Sequence, residues 1–155
     1  IVQQGYLSSE PYAMKQGGIE PSVFLLADYG YPAYATTIET TDKMIEENPE
    51  LVRRFVQASM EGWASYFADP APGNKLIQKE NPQMTDEQIA YGIEKMKAYG
   101  LVTGGDAAAG GIGVMTDARW EKIHDFMLTA GLVDEDLDIH DVYSLDYLPK
   151  EPVLP

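Results

Sequence analysis

The sequence predicts a helix-rich α/β chain, on three observations. Residues 1–7 and 23–27 are short and apolar, and residues 35–41 form a β-branched run; these have the length and composition of strands. Residues 49–67, 86–99 and 118–130 carry apolar side chains at spacings of three and four, the period of a helix with one buried face. Helix-start pairs precede the helical stretches: Thr41-Asp42, Asn48-Pro49, Thr85-Asp86 and Thr116-Asp117.

Composition sets the bounds. A chain of 155 residues, 45% hydrophobic and 23% charged, lies in the ordinary globular range and can bury one sizeable core. No run approaches the roughly 18 apolar residues of a membrane-spanning helix. With 11 basic and 25 acidic residues the net charge is -14, which opposes nucleic-acid phosphates and anionic membrane surfaces, so neither is expected as a partner. Absence of cysteine excludes thiolate metal sites and disulfides. The apolar opening Ile1-Val2-Gln3-Gln4-Gly5 has neither an initiator Met nor a signal-peptide pattern, so the expectation is the C-terminal part of a longer polypeptide.

In chain order, the strand at 1–7 leads into Ser8-Ser9-Glu10-Pro11, where capping residues meet a Pro suited to a first helical turn. A short helix follows to about residue 16 and stops at Gly17-Gly18. Glu10 therefore stands both at a helix N-terminus, where the dipole favours a carboxylate, and at the end of a strand, the usual address of a ligand group in an open α/β sheet. Capping acid and ligand contact both fit.

The apolar strand at 23–27 runs into Ala27-Asp28-Tyr29-Gly30-Tyr31-Pro32-Ala33-Tyr34, a turn crowded with tyrosines. Gly30 permits positive φ, and Pro32 fixes its own φ while biasing Tyr31 towards an extended conformation. The rings have little freedom to lose on meeting a ligand. Two readings stand: a binding crossover, or a turn whose tyrosines pack on the core with their hydroxyls in water.

A short helix after Thr41 and a long one over 49–67 follow, the latter striped by Leu51, Val52, Phe55, Val56, Ser59, Met60, Trp63 and Phe67; Met60 and Trp63 read as core. Residues 69–73, with Pro70, Pro72 and Gly73, read as a rigid turn, 74–79 as a short helix, and Thr85 as the cap of a helix ending at Gly100. The glycine-rich stretch 104–113 lacks Gly-Lys-Ser/Thr and no strand feeds it, so it reads as a flexible surface loop rather than a phosphate cradle. A helix over 118–130 ends at Gly131. Asp134, Asp136 and Asp138 alternate like a calcium loop, but Ile139 and Leu145 stand where its Gly and Glu belong. Residues 143–155, holding Pro149, Pro152 and Pro155, read as an extended tail lying on the domain or partly disordered.

No nucleophile stands beside a base, there is neither a Gly-x-Ser-x-Gly elbow nor a His-Glu-x-x-His, and the two histidines, His124 and His140, show no ligand spacing. The chain is not expected to be an enzyme, and no cofactor or metal is expected.

Five segments carry a resemblance: residues 3–12 (QQGYLSSEPY), 27–37 (ADYGYPAYATT), 48–58 (NPELVRRFVQA), 61–63 (EGW) and 111–120 (GIGVMTDARW). Together they resemble the substrate-binding proteins of ABC transporters of the thiamine-pyrimidine-precursor type, relatives of the nitrate, sulfonate and taurine binding proteins. The resemblance implies a type II periplasmic-binding-protein fold of two α/β lobes joined by a hinge, of which this chain is the C-terminal half. Residues 1–26 would end the second lobe, 27–41 would be the hinge crossover strand, 42–148 the C-terminal helical part of the first lobe, and 149–155 a tail.

The function so implied is capture of a small polar or aromatic ligand by hinge closure, followed by delivery to a membrane permease, outside the cytoplasm and with or without a lipid anchor. The ligand-binding candidates on that reading are Glu10, Tyr29, Tyr31 and Tyr34, then Tyr6, Ser8, Ser9 and Asp28. The partners are the ligand, the permease and the remainder of the chain's own polypeptide. A sensing or interaction module on the same fold is the alternative. Fungal enzymes of the fold that make the thiamine pyrimidine carry a cysteine-rich motif that this sequence lacks.

Overall fold

The computed structural model describes residues 2–155, which fold into seven α-helices. These are α1 (Glu10–Gln16), α2 (Asp42–Glu47), α3 (Pro49–Ala68), α4 (Ala71–Glu80), α5 (Asp86–Ala98), α6 (Ala107–Gly110) and α7 (Asp117–Thr129). Short 3-10 turns lie at Leu26–Tyr29 and Ile139–Asp141. The helix-rich character expected from the stripes is observed. The expected strands are not: among the described residues no β-ladder forms, Ile1 lies outside them, the segment at 23–27 runs into the first 3-10 turn, and 35–41 is irregular. A strand exists only where another chain segment accepts its ladder, and none within 2–155 does.

Local chemistry sets the helix ends. Thr41 Oγ1 accepts the N–H of Met44 at 3.2 Å, and Thr85 Oγ1 accepts that of Gln88 at 3.2 Å, each satisfying a free N–H of a first turn. Pro49 opens α3 with no N–H to lose. The turn expected at 69–73 is shorter than its prolines and glycine suggested. Pro72 and Gly73 belong to the first turn of α4, where Pro is tolerated, and Gly73 lets the helix press on Tyr66, whose ring would lie 2.8 Å from an added Cβ.

The buried core is small: Met60, Ile89, Ala107, Ile112 and Ile123. It joins α3, α5, α6 and α7. Helix α5 is held to α3 by Lys97 Nζ, which donates to the Phe67 carbonyl at 3.2 Å, and to α1 by the tilted Tyr12–Tyr91 pair. The glycine-rich stretch is not a flexible surface loop. It contains α6, buries Ala107, Gly111 and Ile112, and brings Gly113 so close to Met60 that a Cβ there would overlap the methionine. Gly111 and Gly113 serve close approach there, each at a positive φ that glycine adopts without strain.

The tail lies on the domain. Ile112 N donates to the Val153 carbonyl at 2.8 Å, and Arg53 Nη1 donates to the Asp146 carbonyl at 2.6 Å while its guanidinium covers the Tyr147 ring. Trp63, expected in the core, is 40% exposed, and Leu51 and Phe55 on the same helix are more exposed still.

Candidate functional site

The tyrosine turn is mounted on α7. Gly30 takes φ +88 after the 3-10 turn Leu26–Tyr29, the conformation that ends it. The chain then descends, and Tyr31 packs on Phe126 with ring centroids 4.8 Å apart. Tyr34 packs on Trp120 at 5.6 Å. Its hydroxyl donates to Asp106 Oδ2 at 2.9 Å and accepts the backbone N–H of Thr116 at 2.9 Å. Thr116 was expected to cap α7 with its side chain; no such bond forms, and its N–H goes to Tyr34 instead.

Arg119 completes the mount. Its Nε donates to the Pro32 carbonyl at 2.6 Å and its Nη2 to the Ala33 carbonyl at 3.1 Å, a fork on two consecutive carbonyls. The guanidinium carbon lies 4.1 Å from the centroid of the Tyr34 ring, and Nη1 reaches Asp106 Oδ2 at 3.5 Å. Trp120 in turn stacks on Tyr143 at 4.8 Å and 6°. Tyr143 donates to Asp117 Oδ1 at 2.5 Å, which pushes the phenol up to about 12. Trp120 Nε1 and His124 Nε2, one turn apart on α7, are shielded with no hydrogen-bond partner among the described residues.

Of the sequence candidates, Tyr31 and Tyr34 are half-buried in this mount, while Asp28 and Tyr29 stand open on the 3-10 turn, with Tyr29 72% exposed and 6.4 Å from Phe24. Tyr6, Ser8, Ser9 and Glu10 form a separate group at the start of α1. No hydrogen bond or ring contact joins the two groups among the described residues. Glu10 Oε2 accepts the N–H of Tyr6 at 2.7 Å and the hydroxyl of Ser9. Ser9 therefore gives its proton to the carboxylate rather than capping α1 itself. Ser8 and Ser9 also rim a largely apolar cavity of about 220 Å³ with Tyr66, Gln88, Ile89 and Met96.

The Ser9 hydroxyl, more than the Tyr6 amide and against some desolvation, holds the Glu10 carboxyl below its ordinary 4.5. A depressed folded value means stability that is complete above about 4.5 and is lost as pH falls through the folded value. Glu10→Gln is expected to flatten that part of the acid limb, read as urea midpoints between about pH 3 and pH 7. An acid limb unchanged by the substitution would remove Glu10 from the local network.

Asp106 and Arg119 were not singled out from the sequence. A signal existed: Asp106 is the only charged residue between positions 98 and 116, in a stretch of small and apolar residues. A lone charge there calls for a partner.

Residues 2–72 match the family model described as NMT1/THI5 like. That match covers somewhat less than half of the chain. All eight ligand candidates fall inside it, whereas Asp106 and Arg119 fall outside. The chain is also 28% identical over 157 residues to the riboflavin-binding protein RibY of Chloroflexus aurantiacus. That match covers 94% of this chain and 41% of RibY, so the chain spans less than half the length of that relative. The likeness to RibY extends beyond the family match and takes in α5 to α7.

Proposed function

We propose that this chain is the C-terminal part of an extracytoplasmic solute-binding protein that closes two α/β lobes on a flat nitrogen heteroaromatic ligand and presents it to an ABC permease. The ligand class spans a thiamine pyrimidine precursor and a riboflavin-like ring system. The observation that carries the reading is the likeness to a riboflavin-binding protein along 94% of the chain, tyrosine turn included.

Surface area supports a cover supplied by further polypeptide. The chain exposes 11214 Å², against roughly 7,800 Å² for a compact monomer of its mass. Phe24, Tyr29, Phe55 and Leu51 contribute to the excess. In the proposed whole, residues 1–26 end the second lobe, 27–41 cross the hinge, 42–148 belong to the first lobe, and the remaining polypeptide covers these faces.

Asp28, Tyr29 and Tyr31 are the proposed ring-facing residues of the crossover. Glu10, with Tyr6, Ser8 and Ser9, is the polar wall of the opposite lobe, accepting from ring or amino N–H groups. Tyr34, its hydroxyl taken up by Asp106 and Thr116, anchors the crossover on α7.

The test is a thermal-shift titration of the full-length polypeptide with riboflavin and with formylaminopyrimidine. Binding predicts a midpoint that climbs with each tenfold rise in free ligand above the dissociation constant, a step worth about 1.4 kcal/mol. Tyr29→Ala should shift the titration to higher ligand concentration. A midpoint indifferent to both compounds ends the reading.

A further inference from the structure

We propose that Arg119 is a positioning residue of the ligand cleft: it fixes residues 31–34 to α7 as one rigid mount, so that the rings of the crossover are presented at a set height and angle. The inference rests on the solute-binding reading. It adds a residue that lies outside the family match and acts on the crossover through the carbonyls of Pro32 and Ala33 and the ring of Tyr34.

Three features of the geometry carry it. First, Arg119 holds main chain: its fork takes the carbonyls of Pro32 and Ala33, which fixes the path of the segment between Tyr31 and Tyr34. Pro32 cannot donate, so this segment has no hydrogen bond of its own at that residue with which to hold its course. Second, the same guanidinium covers the Tyr34 ring and approaches Asp106, which accepts the Tyr34 hydroxyl, so the crossover, α6's leading residue and α7 meet on one cation. The Arg119 and Asp106 side chains are each 32% exposed, which leaves the pair shielded enough to be directional. Third, the mount has soft ends. Gly30 at φ +88 precedes it and Thr36 at φ +54 follows it; Thr36 is the only non-glycine with positive φ among the described residues. A β-branched residue in that region is strained and has a more relaxed conformation within reach. Rotation at Gly30 and Thr36 would re-aim the flanking segments while 31–34 stays put, which is how a hinge keeps its ligand groups in register.

Chemistry explains the choice of arginine. A lysine could neutralise Asp106 from the same position, but its ammonium cannot straddle two consecutive carbonyls and stack on a ring at once. Arg119→Lys should therefore keep the charge and lose the mount.

The experiment uses the full-length polypeptide with Arg119→Lys and Arg119→Ala. The direct reporter is the amide of Thr116, protected by the Tyr34 hydroxyl, read by hydrogen exchange against the α7 amides near Leu128 as an internal reference. The expected result is Thr116 exchange at least tenfold faster in both variants with the reference unchanged, and a riboflavin dissociation constant raised about tenfold in both. Equal acceleration of all amides would reduce Arg119 to a general stabiliser and overturn the proposal. So would unchanged exchange at Thr116, or loosened exchange with unaltered riboflavin affinity. A wild-type protein that binds neither riboflavin nor formylaminopyrimidine ends the solute-binding reading and the positioning role with it, and the exchange data then still report whether the mount exists.

Discussion

Gly111→Ala is expected to destabilise the protein by about 3–4 kcal/mol, although it adds one methyl group to a loop. The cause is double. Gly111 follows α6 at φ +94 and ψ 160, a region that essentially only glycine occupies. A Cβ there would also lie 2.9 Å from Pro152 Cβ and 3.2 Å from both the N and O of Val153. Those atoms cannot step aside cheaply, because the Val153 carbonyl accepts the Ile112 N–H that fastens the tail. Gly105→Ala is the control: its φ is +58 and nothing lies within 4 Å of the added carbon, so it should cost only about 1 kcal/mol. Urea unfolding of the full-length polypeptide measures both. Pro152→Gly combined with Gly111→Ala should recover about 1 kcal/mol relative to the sum of the single changes, because it removes the nearest obstructing atom. Equal costs for the two glycines would mean that the tail does not lie on the loop.

That loop marks the border between what is written locally and what is not. Thr41, Thr85 and Pro49 announce their helices because a cap or a first-turn proline acts within three or four residues. The helical stripes are equally legible, since one turn brings their members together. The glycines at 111 and 113 look like freedom in the sequence. Their purpose depends on Met60 and Val153, which no local pattern connects to them. Strands fail for a related reason. The residues at 23–27 and 35–41 have strand composition, but a ladder requires a second segment, and β-propensity alone supplies none. At the candidate site the tyrosine turn was conspicuous as a cluster of rings around Gly30 and Pro32. Its anchor was not, because Arg119 lies 86 residues or more from the carbonyls it holds. Both readings of the tyrosines persist in the geometry, divided among residues: Tyr31 and Tyr34 pack, and Tyr29 stands open.

Tyr34→Phe tests that division and should cost about 2–3 kcal/mol. The substitution keeps the ring against Trp120 and beneath Arg119 and removes only the hydroxyl. Two bonds go with it. The N–H of Thr116 loses its acceptor, a partly buried backbone donor left unmet, and Asp106 loses a donor to a charged oxygen. Neutral bonds of this kind contribute about 1 kcal/mol and those to charged groups about 1.5–3 kcal/mol; the 32% exposure of Asp106 lets water recover part of the second. Asp106→Asn should lose less, since the amide oxygen can still accept from Tyr34, and the double variant should fall short of the sum, because both changes break the same contact. Riboflavin affinity gives the second axis. A hydroxyl consumed inside the chain predicts that Tyr34→Phe lowers stability and leaves affinity within about twofold, whereas Tyr29→Ala lowers affinity and leaves stability almost untouched. The opposite pattern, with affinity lost and stability kept at Tyr34, would place that hydroxyl on the ligand and return the whole turn to the cleft.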